Sequence, residues 1–162
     1  YMVIQDPVRF PDGRLGTVLR FVPKPLGVRA VVIVPTLDGK VVLLRHFRHG
    51  VRDWSLEFPR GGCNPGVDAE ETARTELVEE IGATISRVRK IGQFNVNAGQ
   101  NPCVSVLFHA ELEAIGAANA AEGIDRAVLG DPAELEHLIG TDEILDSFTL
   151  SGFAKARVAG VI

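Results

Sequence analysis

The sequence predicts a mixed α/β fold, a sheet flanked by helices, and three observations predict it. Short runs of β-branched residues separated by turn signals fill the first third of the chain. From Ala69 the apolar period changes abruptly from that of a strand to that of a helix. More strand-like segments follow, and two helical segments close the chain, an order that suits helices packed around a sheet. With 162 residues and a mass of 17.4 kDa, the whole chain is expected to form one domain.

Residues 1–25 read as strand and turn, with a turn at Pro11-Asp12-Gly13, where Pro presets φ and Gly admits φ > 0. Ala30 to Val34 and Val41 to Leu44 flank Asp38-Gly39, which predicts a hairpin. Leu56 to Phe58 is a short strand, and Gly61-Gly62, Pro65 and Gly66 mark an irregular loop. Glu70, Ala73, Leu77 and Ile81 fall at helical spacing. Asp68 is placed to cap that helix and Gly82 to end it. Residues 84–96 and 103–112 read as strands, and 114–125 as a mobile, Gly/Ala-rich loop carrying one acid, Glu122. Helices are predicted over 132–139, with Pro132 in the first turn, and over 149–158.

Composition narrows the class. Hydrophobic residues make up 46% and charged residues 23%, which excludes a disordered chain or a disulfide-dense miniprotein. The net charge of -4 offers no electrostatic footprint for nucleic acid or an anionic membrane. The longest apolar stretch is too short to span a bilayer, and Tyr1-Met2 open no signal peptide. Cys63 and Cys103 match no zinc spacing and read as free thiols, so a cytoplasmic protein is expected. The charge is unevenly spread. Residues 68–80 hold six acids and one arginine, a net of -5, which leaves the rest of the -4 chain at +1.

Within that segment Glu76, Glu79 and Glu80 stand at i, i+3 and i+4 and share one helical face. Like charges so placed repel, and a divalent cation removes the conflict, because carboxylate oxygens are preferred ligands of Mg²⁺ and Mn²⁺. Such an ion turns an acidic patch into a site for phosphates. The plainer alternative is a solvated acidic face.

The surrounding residues resemble a known family. Residues 61–83 are similar to the Nudix box, G-x5-E-x7-R-E-U-x-E-E-x-G-U with U aliphatic: Gly61, Glu76, Leu77, Glu79, Glu80 and Gly82 fall on their places, with Ala83 at the last. Val67 stands where the pattern has its first Glu, and Thr75 where it has Arg. Asp68 and Arg74 are each one residue out of register, about 100° around a helix. Loss of both partners of a salt bridge is less disruptive than loss of one. Further segments, Pro7 to Gly13, Val41 to Arg48, Glu57 to Gly61 and Glu134 to Leu150, resemble the ADP-ribose pyrophosphatase branch.

The resemblance implies a Nudix-type α/β/α sandwich around a mixed sheet, with a short N-terminal β segment that serves as a candidate dimerisation element. It implies hydrolysis of the pyrophosphate in a nucleoside diphosphate derivative such as ADP-ribose or a sugar nucleotide. Glu76, Glu79, Glu80 and the backbone carbonyl of Arg60 would hold Mg²⁺ or Mn²⁺. Glu122 would be a late acid, either general base or extra ligand. Arg48 would meet the substrate's phosphates, a role that suits a guanidinium, and Arg60 and Trp54 are further candidate substrate-binding residues. Trp54 and Phe47 could stack on a ring, although a lone Trp in a β-rich domain is more often a core residue. His46 and His49 read as polar rim. The altered box leaves a second reading open, a nucleotide-binding module with little or no turnover. The partners implied are a small nucleotide and a second copy of the chain, with neither nucleic acid nor membrane.

Overall fold

The computed structural model describes residues 2–24 and 29–162. Of the N-terminal segment expected over 1–25, Tyr1 and Pro25 lie outside the described residues. Strands β1 (Met2–Arg9) and β2 (Leu15–Val22) pair antiparallel in a separate two-stranded hairpin. The mixed sheet follows, from β3 (Ala30–Leu37), β4 (Lys40–Arg48), β5 (Asp53–Glu57), β6 (Arg60–Gly62), β7 (Thr84–Asn95), β8 (Val104–Ala114) and β9 (Ile124–Gly130). Three α-helices accompany it: α1 (Ala69–Ile81), α2 (Pro132–Gly140) and α3 (Ser147–Val158).

The sheet runs β5-β4-β3-β8-β7, with β6 also on β3 and β9 on β4. β3 and β8 are parallel, and the other pairs are antiparallel. The β3–β4 turn places Asp38 and Gly39 at φ 50° and 77°, as a tight hairpin between right-twisted strands requires. β3 is apolar along most of its length because both of its faces are covered. Val31 and Ile33 meet Ala73, Leu77 and Ile81 of α1 in one core layer, while Val32 and Val34 join Phe58, Leu135, Phe153 and Ala156 in the other. These two layers make the sandwich expected from the sequence.

Three local expectations change. β9 occupies 124–130, where the sequence suggested only loop and connection; it is short and carries Asp125 and Arg126, so its apolar signal is weak. The 114–125 segment is not a free loop. It contains a single 3-10 turn at Ala120–Glu122 and is hydrogen-bonded to its neighbours. α3 begins at Ser147 rather than 149, because Asp146 accepts the Thr149 N–H at 2.9 Å and so caps the helix earlier.

One buried hydroxyl ties α3 to the strand end that leads into the acidic loop. The Thr149 Oγ1 accepts the Phe58 N–H at 3.0 Å and donates to Asp146 Oδ2 at 2.8 Å, with no exposure to solvent. Thr149→Val preserves shape but leaves the Phe58 N–H unpartnered. A loss of about 1–3 kcal/mol of stability is expected, read by urea denaturation.

Candidate active site

The acids sit where β6 delivers the chain to α1. Asp68 caps α1 by accepting the Glu70 N–H at 2.8 Å, and Gly82 ends it at φ 57°. Ala73, Leu77 and Ile81 are buried, which fixes the rotation of the helix and turns Glu76 and Glu80 toward β6. A Cβ on Gly61 would lie 1.7 Å from Glu76 Oε1. Only glycine therefore allows the carboxylate to approach the β6 backbone.

Glu80 is the most constrained of the three, at 2% exposure. Its carboxylate accepts a hydrogen bond from the Arg60 backbone, yet its Oε2 has no partner among the described residues. Burial, then the charges of Glu76 and Glu122, push its pKa up to about 8. Glu76, half-buried, is also shifted upward, by burial first and then by Glu79 and Glu122. Glu79 and Glu122 are exposed. The fold thus brings Glu76, Glu79, Glu80 and Glu122 into one electrostatic neighbourhood, with the Arg60 peptide against it. Among the described residues no three His, Cys, Asp or Glu side chains converge into a ready-made cation cage. The orphaned oxygen of a buried carboxylate and the mutual repulsion of its neighbours nevertheless fit a hard divalent cation, whose ligands are oxygens.

Beside the acids lies a second cluster, built around Glu57, which is 1% exposed. Arg48 grips both its oxygens, with Nε at 3.1 Å from Oε2 and Nη2 on Oε1. Arg60 reaches Glu57 Oε2 at 3.1 Å and Asp146 Oδ1 at 3.2 Å, while its guanidinium lies 4.2 Å from the Phe148 ring centre. His46 is buried, not at the rim: it pairs with Ser55 across β4–β5, under the α1 side of the sheet. Its Nδ1 is 3.1 Å from Glu57 Oε1 but makes no aligned hydrogen bond there. Burial, and then Arg48, lower its pKa, while a hydrogen bond to the Glu122 backbone opposes that shift. His49 is exposed.

Next to this cluster opens a cavity of about 630 Å³, lined by Arg48, Val51, Trp54, Glu57, Asp146 and Phe148 among others. Trp54 is no core residue; it is 43% exposed, with the Arg45 guanidinium 4.1 Å from its ring centre and Phe47 meeting it edge-on at 5.5 Å. Asp146 and Phe148 were not singled out in the sequence. The run Asp146 to Leu150 held the signal, but only the folded chain carries it back to Arg60.

The altered box positions are on the surface. Val67 is 40% exposed, and the Thr75 hydroxyl donates to the Glu71 carbonyl at 3.0 Å within α1. Arg74 pairs with Glu70 at 2.8 Å, one turn away on the same helix, and does not reach the loop. The loop is held instead by backbone: Cys63 N–H to Arg29 C=O at 2.9 Å and Val67 N–H to Asn64 C=O at 3.1 Å. Both cysteines are thiols. Among the described residues no helix is long and apolar enough to cross a membrane.

A glycine-bounded loop and an E-x-x-E-E helix wedged against a mixed sheet define a family, and the comparison agrees: the NUDIX domain model matches residues 26–148. The chain belongs to the Nudix family. It is 32% identical over 106 residues to the ADP-ribose pyrophosphatase of Bacillus subtilis (strain 168), a match covering 65% of this chain and 56% of that protein. It is 37% identical over 59 residues to the ADP compounds hydrolase NudE of Escherichia coli (strain K12), covering 36% of this chain and 32% of that protein. The matches thus span about half, or less, of these curated relatives. The crystal structure of an ADP compounds hydrolase shares the fold, with a TM-score of 0.82 at 21% identity over 96% of this chain and 84% of that one.

The raised pKa of Glu80 has a defined consequence for the metal-free protein. A carboxyl that titrates at 4.5 when unfolded and at about 8 when folded favours folding below its unfolded pKa. That contribution is lost as pH rises through about 8. The stability difference between wild type and Glu80→Gln in EDTA should therefore move against wild type between pH 4.5 and 8. Denaturant titrations across that range check it; parallel curves would contradict it.

Proposed function

We propose that the chain is a metal-dependent hydrolase that cleaves the pyrophosphate of a nucleoside diphosphate derivative of the ADP-ribose or sugar-nucleotide type. The observation that carries this reading is Glu80: a buried carboxylate with an unpaired oxygen, crowded by Glu76 and Glu122. Such a group is relieved by protonation or, when ionised, by a bound cation. Glu76, Glu79 and Glu80, with the Arg60 backbone carbonyl, hold Mg²⁺ or Mn²⁺. When bound, that ion supplies Lewis acidity at the phosphoryl oxygen and a lower pKa for the attacking water.

The chain's own groups do the rest. Arg48 and Arg60 offer guanidinium edges to the pyrophosphate from the floor of the 630 Å³ cavity. Glu57 orients both arginines from beneath. Glu122, exposed and facing the acids, takes the proton of the attacking water. Trp54 and Phe148 supply apolar walls for the group beyond the phosphates. The cavity also presents Asp53, Glu143 and Asp146, so with Glu57 its four acids outnumber its two arginines. A neutral terminal group such as a ribose or sugar suits it better than a further phosphate.

Val67 and Thr75 support the second reading, a nucleotide-binding module of low turnover, since neither can brace the loop with charge. The exposed apolar face of the hairpin, with Val3, Leu15, Leu19 and Phe21, supports a homodimer.

Incubation with ADP-ribose, sugar nucleotides, NADH and diadenosine polyphosphates should yield metal-dependent release of AMP or phosphate, strongest for substrates with an uncharged end group. Glu79→Gln and Glu80→Gln should each lower kcat by about 10²-fold or more. Thermal stabilisation by these ligands without release would support the binding module instead. Light scattering should give twice the chain mass for wild type and a smaller species for Leu19→Glu; a monomeric wild type would remove the dimer.

A further inference from the structure

Glu122 should not sit where it does unaided. It is exposed, and its backbone is bonded through Asn119 to the last turn of α1, which puts its charge beside the like charges of Glu76, Glu79 and Glu80. The repulsion is mutual, and a free side chain would relieve it by swinging into solvent. Something must hold the carboxylate toward α1.

We infer that Asn119 is a positioning residue that holds the Glu122 carboxylate against the acidic turn of α1. The inference rests on the proposed role of Glu122 in the reaction. Asn119 is joined to both partners. Its backbone N–H donates to the Glu80 carbonyl at 2.9 Å, and its side-chain Nδ2 donates to Glu122 Oε1 at 3.0 Å. Its backbone carbonyl accepts from the Glu122 N–H at 3.1 Å and the Ile124 N–H at 3.3 Å. One residue thus links the metal helix to the late acid.

The segment around it is pinned at both ends. Gly116 N–H donates to the Ile81 carbonyl at 2.8 Å, and Phe47 N–H to the Gly123 carbonyl at 2.9 Å. Gly116 and Gly82 lie so close that a Cβ on Gly82 would come 3.3 Å from the Gly116 Cα. His46 hydrogen-bonds the Glu122 backbone from beneath. The backbone at Glu122 is therefore placed by the fold, and the side chain by Asn119.

Two plainer reasons for an asparagine fail. Its φ of -80° lies outside the left-handed region that favours Asn. Its Oδ1 does cap the 3-10 turn, accepting the Ala121 N–H at 3.2 Å, but Asp or Ser would cap as well. The amide puts the cap acceptor and the donor to Glu122 on two separate atoms, whereas Asp has no donor and Ser has one shorter hydroxyl for both tasks.

This difference sets the test. Asn119→Asp and Asn119→Ser keep the cap acceptor and the backbone link but cannot hold the Glu122 carboxylate as the amide does. With ADP-ribose and Mg²⁺, both should melt near the wild-type temperature and lose about tenfold or more in kcat with KM within about twofold, as for a misplaced general base. Adding either change to Glu122→Gln should lower kcat no further, because Asn119 acts through Glu122. Wild-type kcat in both variants, on a background where Glu122→Gln is slow, overturns the inference alone. Full activity in Glu122→Gln removes the role of Glu122 and the inference with it. A readout independent of turnover is the amide proton pair of Asn119 by NMR, which should shift in Glu122→Gln; an unmoved pair overturns the contact.

Discussion

The like-charge crowding at the start of the sandwich is the constraint on which the rest of the structure depends. Four carboxylates share one corner, and one of them, Glu80, is buried with an oxygen unpaired among the described residues. Repulsion there must be resisted by packing. α1 resists it by burying Ala73, Leu77 and Ile81 under β3, which contributes roughly 1.5–3 kcal/mol for each large side chain. β6 resists it with Gly61, whose bare backbone lets Glu76 come close. The loop before β9 resists it with hydrogen bonds to the last turn of α1. Each device is ordinary alone. Together they keep in place charges that would otherwise separate.

The neighbouring cationic cluster shows the opposite economy. Arg48 and Arg60 face the cavity, and both are tied to one buried acid, Glu57. The tie orients the guanidinium planes before a ligand arrives, so less side-chain entropy is lost on binding. Asp146, which caps α3, shares the Arg60 Nη2 with Glu57, and Thr149 joins that turn to Phe58, the residue after β5. The far end of the chain is thereby wired to the wall of that cavity. The missing charge pair of the box, Val67 and Thr75, matters less in this light. Those positions are on the outside, and backbone contacts hold the loop.

Much of this was legible in one dimension. The hairpin at Asp38-Gly39, the cap at Asp68, the stop at Gly82 and the shared face of Glu76, Glu79 and Glu80 are local matters, decided by spacing and backbone preference. β9 was not legible, because an edge strand with Asp125 and Arg126 lacks a clear apolar alternation, and pairing with β4 creates it. His46 read as rim because no third metal ligand stands near it in sequence; it is buried beside Glu57, whose Oε1 lies 3.1 Å from its Nδ1. Trp54 read more readily as core, and is left half-open because β5 is a sheet edge.

The sequence by itself determined the class of fold, the acidic helix and the glycines that allow close approach. These depend on residues within a few positions of one another, whose geometry is set by helix and turn periodicity. Tertiary structure alone decided which carboxylate is buried, which arginines share Glu57, and how Asn119 and Glu122 come to stand beside Glu80, some forty residues away in the chain. Burial and long-range pairing depend on how strands register and helices rotate against the sheet. That information is distributed over the whole core and is not written at any one of these positions.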